Sequence, residues 1–84
     1  MTNVVIASAA RTAVGSFGGS FANTPAHDLG AAMLKEIVAR AGVDPSDVSE
    51  TILGQVLTAA QGQNPARQAH VNAGLPIESS AWSI

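Results

Sequence analysis

The sequence predicts an α/β fold with a parallel sheet, in the order strand, helix, strand, helix, strand. Three observations carry this. The run Val4-Val5-Ile6-Ala7-Ser8-Ala9-Ala10 is apolar at consecutive positions rather than alternate ones, as in a strand buried on both faces. Two further short apolar runs, Thr51–Leu57 and Ser80–Ile84, are each preceded by a segment of helical pattern. Proline placed directly after a small capping residue recurs at Thr24-Pro25, Asp44-Pro45 and Asn64-Pro65, a signature of helix starts. Alternating elements of this kind join through right-handed crossovers. Val4–Ala10 is the most apolar strand candidate and is placed at the centre of the sheet.

The elements follow in order. Arg11 to Asn23 reads as a long βα loop, with Phe17 and Phe21 as apolar anchors pinning it to a surface. Arg11 could form an anion site after the first strand, but an Arg in a βα loop more often braces loop carbonyls. In the first helix, Thr24 is expected to cap and Pro25 to take the first helical position. Leu29, Met33, Leu34, Ile37, Val38 and Ala41 form one apolar stripe of helical period, with Met33 as core filler, and Gly42 stops the helix. Asp44-Pro45-Ser46-Asp47 gives one short helical turn. Thr51–Leu57 is the second buried strand, with Gly54 marking a bulge or a close backbone approach. Asn64 caps the second helix, Ala66, Ala69 and Ala73 share a face suited to close packing, and Gly74 closes it. Ser80–Ile84 is the third strand.

Composition bounds the function. The chain has 84 residues, enough for one domain at most, and only 12% of them are charged, against about 25% in an average globular protein. So small a domain has much surface, so the deficit implies cover by other protein. Four Lys/Arg oppose six Asp/Glu without any run of one sign, which gives no electrostatic case for nucleic acid or an anionic membrane. Cysteine is absent, so there is no thiol nucleophile and no thiolate metal site, and His27 and His70 stand far apart in sequence. No apolar run reaches the ~18 residues of a spanning helix, and no signal-peptide pattern opens the chain, so a cytoplasmic protein without a membrane partner is expected.

No G-x-S-x-G turn, P-loop or metal-ligand spacing is present, so no catalytic, cofactor-binding or metal-ligating residue is assigned. The densest polar cluster is Gln61, Gln63, Asn64, Arg67 and Gln68. It reads either as a capped helix start with solvent-facing amides or as a hydrogen-bonding block that holds a neighbouring loop or subunit. The residues alone leave open a nucleotide-binding α/β module, although Gly15–Gly19 departs from G-x-G-x-x-G, and a non-catalytic interaction fragment.

Three stretches together resemble the start of a thiolase of the biosynthetic branch. They are Val5 to Phe17, similar to the family's first strand and R-T-P-x-G-x-F loop with Ala13 in place of the usual Pro; Ile52 to Leu57; and Gly62-Gln63-Asn64-Pro65-Ala66-Arg67-Gln68-Ala69. The resemblance covers essentially the whole chain, in order and at the family's spacing. It implies a five-layered αβαβα architecture of two similar domains, with the first strand central, of which residues 1–84 are an incomplete N-terminal domain. It implies condensation of two acetyl-CoA molecules to acetoacetyl-CoA plus CoA through an acyl-cysteine, with CoA as substrate carrier and no other cofactor. The family's nucleophilic Cys follows the third strand and is not among these residues. The resemblance therefore transfers no catalytic residue. It gives this stretch the role of scaffold and dimer interface, inactive alone, with Gln63, Asn64, Arg67 and Trp82 in supporting or interface positions. The remaining expected partners are the rest of a thiolase chain and further copies of it, in a dimer of dimers.

Overall fold

The computed structural model describes residues 3–84. Its elements are helix α1 (Ala26–Ala41), a 3-10 turn (Pro45–Asp47), strand β1 (Glu50–Leu53), helix α2 (Pro65–Asn72) and strand β2 (Ser80–Ser83). The chain is α/β with parallel strands, as the alternation predicts. β1 pairs with β2 in parallel, with Glu50 opposite Ser80 and Leu53 opposite Ser83, and α2 is the crossover between them. The ladder runs past the strand ends, because Ile84 N–H donates to Leu53 O and Gln55 N–H to Ile84 O, both at 2.9 Å.

One layer of helix covers one face of this sheet. Ala31 and Leu34 of α1, Ala69 of α2 and Leu75 form the core, with Ile37, Val38, Val48, Leu53 and Ala73 packed around it. The predicted stripe of α1 thus supplies the core through Leu34, Ile37 and Val38, while Leu29 and Met33 are half-buried beside it. The alanine face of α2 is what allows close packing, since Ala66 and Ala69 have no exposed surface. Gly30 of α1 sits against it. A Cβ there would lie 3.2 Å from Ala69 Cβ and 3.3 Å from Leu53 Cδ1.

Two of the three predicted helix starts behave as read. Asp44 accepts from Ser46 N–H at 2.9 Å and from Ser46 Oγ–H at 2.8 Å, and Asn64 Oδ1 accepts from Arg67 N–H at 3.1 Å. The Ser46 amide and hydroxyl hold the Asp44 carboxyl below the usual carboxylate range. The third start differs. Thr24 makes no cap bond. Pro25 itself is the last non-helical residue, at φ −59°, ψ 144°, and its carbonyl accepts from Asp28 N–H at 3.0 Å. Gly42 stops α1 in the left-handed region at φ 69°.

The first predicted strand is not formed. Val4–Ala10 has no strand pairing, and Val4 and Ile6 are 98% and 91% exposed. The stretch is therefore not the centre of a sheet in this structure. A strand is a pairing, and apolar side chains for two faces do not supply a neighbouring backbone. Among the described residues the only ladder is that of β1 with β2. The segment lies instead along the C-terminal half of α1, where Ser8 Oγ–H donates to Ile37 O at 2.6 Å and Arg40 Nη1 to Ala9 O at 3.3 Å. In the loop that follows, Arg11 braces a carbonyl as expected, that of Thr12 at 3.0 Å. Phe21 packs on Gly15, but Phe17 is fully exposed and anchors nothing. Gly54 lies just beyond β1 and has ordinary room, with Ile84 O 4.0 Å from a Cβ placed on it.

Candidate functional site: a polar brace between α2 and β2

The polar cluster read from the sequence is a set of grips by α2 on the chain that leads into β2. Asn64 starts it. At φ 43° its backbone is in the left-handed region that Asn tolerates better than most residues. That conformation lets one amide serve both ends: Oδ1 caps α2, and Nδ2 donates to Ala81 O at 3.0 Å. One turn on, the Arg67 guanidinium spans two carbonyls, Nη1 to Ser79 O at 2.9 Å and Nη2 to Ile77 O at 2.7 Å. A planar fork holds two acceptors at fixed spacing, which an ammonium cannot. In the other direction, Ser83 Oγ of β2 accepts from Ala66 N–H at 3.3 Å, satisfying a free N–H of the first helical turn.

Gln68 works on the other side of α2. Its Nε2 donates to Gln61 O at 3.0 Å and Gln63 O at 2.9 Å, curling the loop before the helix around the side chain. Gly62 is required at the top of that curl. It sits at φ 80°, and a Cβ there would lie 2.7 Å from Gln68 Nε2. Gln63 contributes this backbone carbonyl, and its side chain faces solvent. The curled loop and residues 22–27 flank an open cleft of about 510 Å³, lined among others by Thr24, His27, Gln61 and Gln68. Trp82 lies on the outer face of the sheet. Its Nε1–H donates to Glu50 Oε1 at 2.7 Å, a cross-strand tie that leaves the ring 44% exposed beside Ile52.

Sequence reasoning brought Asn64, Arg67 and Gln68 to one block, and the structure places them there. It missed His70. This imidazole is fully buried, the largest side chain of which that is true among the described residues. Its Nδ1 lies 2.7 Å from Thr51 Oγ1 of β1, and its Nε2 lies 2.7 Å from Pro76 O. A carbonyl only accepts, so the hydrogen sits on Nε2, and Nδ1 accepts from the Thr51 hydroxyl. A signal was present in the sequence: His70 follows Ala66 by four residues and Ala69 by one, on the close-packed face of α2.

Taken together, side chains of α2 and its cap hold the carbonyls of Pro76, Ile77, Ser79 and Ala81. The hydroxyl that stands beside a base in this set, Thr51 on His70 Nδ1, is buried with it rather than presented to a ligand. The arrangement fixes where β2 runs and where its carboxyl end points. In parallel α/β sheets the groups that act on ligands lie beyond such strand ends.

Comparison with known proteins agrees with this architecture. Residues 4–84 match the family model described as thiolase, N-terminal domain. An acetyl-CoA acetyltransferase of Paracoccus denitrificans is 76% identical over 84 residues, which is 100% of this chain and 22% of that protein. A cytosolic acetyl-CoA acetyltransferase of Rattus norvegicus is 58% identical over 80 residues, 95% of this chain and 20% of that protein. The crystal structure of Acat5 thiolase from Ascaris suum in complex with coenzyme A superposes with a TM-score of 0.81 at 37% identity, over 83% of this chain and 18% of that one. The chain thus spans about a fifth of the length of the curated relatives it matches. With the model matched from Val4 to Ile84 and the parallel β1–α2–β2 unit in place, this chain belongs to the thiolase family, as part of its N-terminal domain.

Proposed function

We propose that this chain is the N-terminal scaffold of an acetyl-CoA C-acetyltransferase, which condenses two acetyl-CoA to acetoacetyl-CoA plus CoA through an acyl-cysteine intermediate. The observation that carries this reading is the 76% identity to an acetyl-CoA acetyltransferase across the full chain. In it, residues 1–84 are an incomplete domain of an αβαβα architecture. The residues that react lie elsewhere in the protein, since the sequence contains no cysteine. CoA is the substrate carrier, and no separate cofactor is required by this route. A homotetramer built as a dimer of dimers and a cytoplasmic location complete the proposal; the cytosolic rat relative supports the location.

The chain's own contribution is positional. Asn64 and Arg67 set the path of residues 77–81, the carbonyl of Gln63 closes the loop before α2, and Trp82 presents a half-exposed ring on the outer sheet face. These four residues are the proposed supporting and interface set. The test is made on the full-length protein. Thiolytic cleavage of acetoacetyl-CoA that stops on alkylation of a single cysteine is the expected result, and a protein without this activity overturns the reading. Arg67→Ala is expected to weaken dimerisation by about tenfold, the loss of two charge-assisted hydrogen bonds being partly offset by water. An unchanged dissociation constant removes Arg67 from the interface set.

A further inference from the structure

We propose that His70 is a positioning residue for the reaction, fixing the register in which β2 leaves the sheet; this rests on the acyl-transfer reading above. The imidazole is fully buried and is used at both nitrogens. Buried polar groups are costly unless paired, so an imidazole with no exposed surface is kept only where both its partners are fixed. Those partners belong to different elements. Thr51 is in β1, on the covered face and opposite Ala81 of β2. Pro76 opens the link from α2 to β2, and its carbonyl is a hub that also receives Ser79 N–H and Ser79 Oγ–H, both at 3.2 Å.

The consequence is geometric. The length of chain between Pro76 and β2 is short, and the Pro76 carbonyl is tied through His70 to Thr51, the β1 residue paired with Ala81 of β2. Sliding β2 along β1 would break the His70–Thr51 bond, which is buried at both ends, or the His70–Pro76 bond, whose imidazole end is buried and whose carbonyl belongs to a half-buried residue. Arg67 and Asn64 hold the same link from exposed or half-exposed positions, where water replaces a lost bond more readily. His70 is therefore the grip whose loss is least compensated.

Three variants of the full-length protein separate its two bonds. His70→Gln places an amide N–H near the Nε2 position and keeps the grip on Pro76. His70→Asn places a carbonyl near Nδ1 and keeps only the bond from Thr51. His70→Ala keeps neither. Two readouts are needed. Amide hydrogen exchange at Ile84 and Gln55, the donors at the far end of the ladder, reports the register directly. In His70→Ala it is expected to rise about tenfold or more over wild type, with amides outside 50–84 unaffected. Acetoacetyl-CoA cleavage reports the consequence: kcat about tenfold lower with KM within about twofold, because misplacement of reacting groups acts on the transition state rather than on binding. Gln is expected to restore both towards wild type, and Asn is not. Exchange at Ile84 and Gln55 unchanged in His70→Ala overturns the proposal, as does rescue by Asn equal to rescue by Gln. A rise in exchange spread over the whole protein also overturns it, since that marks general destabilisation. Should the wild-type protein lack thiolytic activity, the acyl-transfer reading and the catalytic clause of this proposal fall, and the exchange data decide the register clause.

Discussion

Gly30→Ala sets two effects against each other, and the structure says which wins. Gly30 lies inside α1, where replacing glycine by alanine in an exposed helix is worth about 1 kcal/mol of stabilisation. Here the added methyl would meet Ala69 Cβ at 3.2 Å and Leu53 Cδ1 at 3.3 Å. Carbon pairs are most favourable at about 3.5–4.0 Å. Leu53 relieves its contact by turning at its own side chain. Ala69 has no such freedom: its Cβ is fixed to the backbone of α2, and the residue is wholly buried. The helices must separate by a few tenths of an ångström, and α2 carries the grips on β2. Overpacking of this kind costs about 1–3 kcal/mol, so Gly30→Ala is expected to destabilise by about 1 kcal/mol net. Ala69→Gly alone costs about 2 kcal/mol, from lost burial and lost helix propensity. The double variant is expected to be less damaging than the sum, with a coupling of about 1 kcal/mol, since the new methyl of residue 30 occupies the space left at residue 69. Denaturant midpoints of the full-length protein at constant slope give the cycle. Stabilisation by Gly30→Ala, or strict additivity, refutes the claim that the α1–α2 contact is closed at this point.

Two further outcomes follow from the helix starts. The folded-state carboxyl of Asp44 is held below its ordinary range by Ser46, so its contribution is present above that range and is lost as pH falls through the lowered folded value. A pH titration of the Ser46 amide resonance should show a midpoint below that of a free aspartate, and Asp44→Asn should abolish it; a midpoint at or above the free value contradicts the cap. At Asn64, glycine removes the backbone strain at φ 43° and loses both side-chain bonds, whereas alanine loses the bonds and keeps the strain. The expected order of melting temperature is Asn, then Gly, then Ala, with roughly 1 kcal/mol between the last two; Ala above Gly refutes the left-handed assignment.

What was legible in the sequence is what local chemistry decides. Both helices, the short turn at Pro45–Asp47 and the places of β1 and β2 follow from proline placement, caps and periodicity, all of which act within a few residues, although β1 ends at Leu53 rather than Leu57. Val4–Ala10 was misread because its strand character depends on backbone supplied by another segment, which composition does not report. Thr24 was misread for a subtler reason. Proline at residue 25 fixes φ in a range shared by helix and polyproline II, and the observed ψ of 144° chose the latter, moving the helix start by one residue. His70 was passed over because a lone histidine in a short helix carries no motif, and its meaning lies in the positions of Thr51 and Pro76, distant by sequence and adjacent in space.

The brace also couples α2 to β2. A helix of 8 residues is well below the ~12–15 at which isolated helices become even marginal in water. A two-stranded sheet is likewise marginal without cover. Each supplies what the other lacks. Ser83 satisfies an N–H at the start of α2, and Asn64, Arg67 and His70 satisfy carbonyls on the way into β2. Few of these bonds are local to one element, so a single substitution in the set loosens both. That coupling is what a positioning device requires: the direction of the strand end is set by many small restraints acting on one backbone, and the buried restraint, His70, is the one that solvent cannot replace.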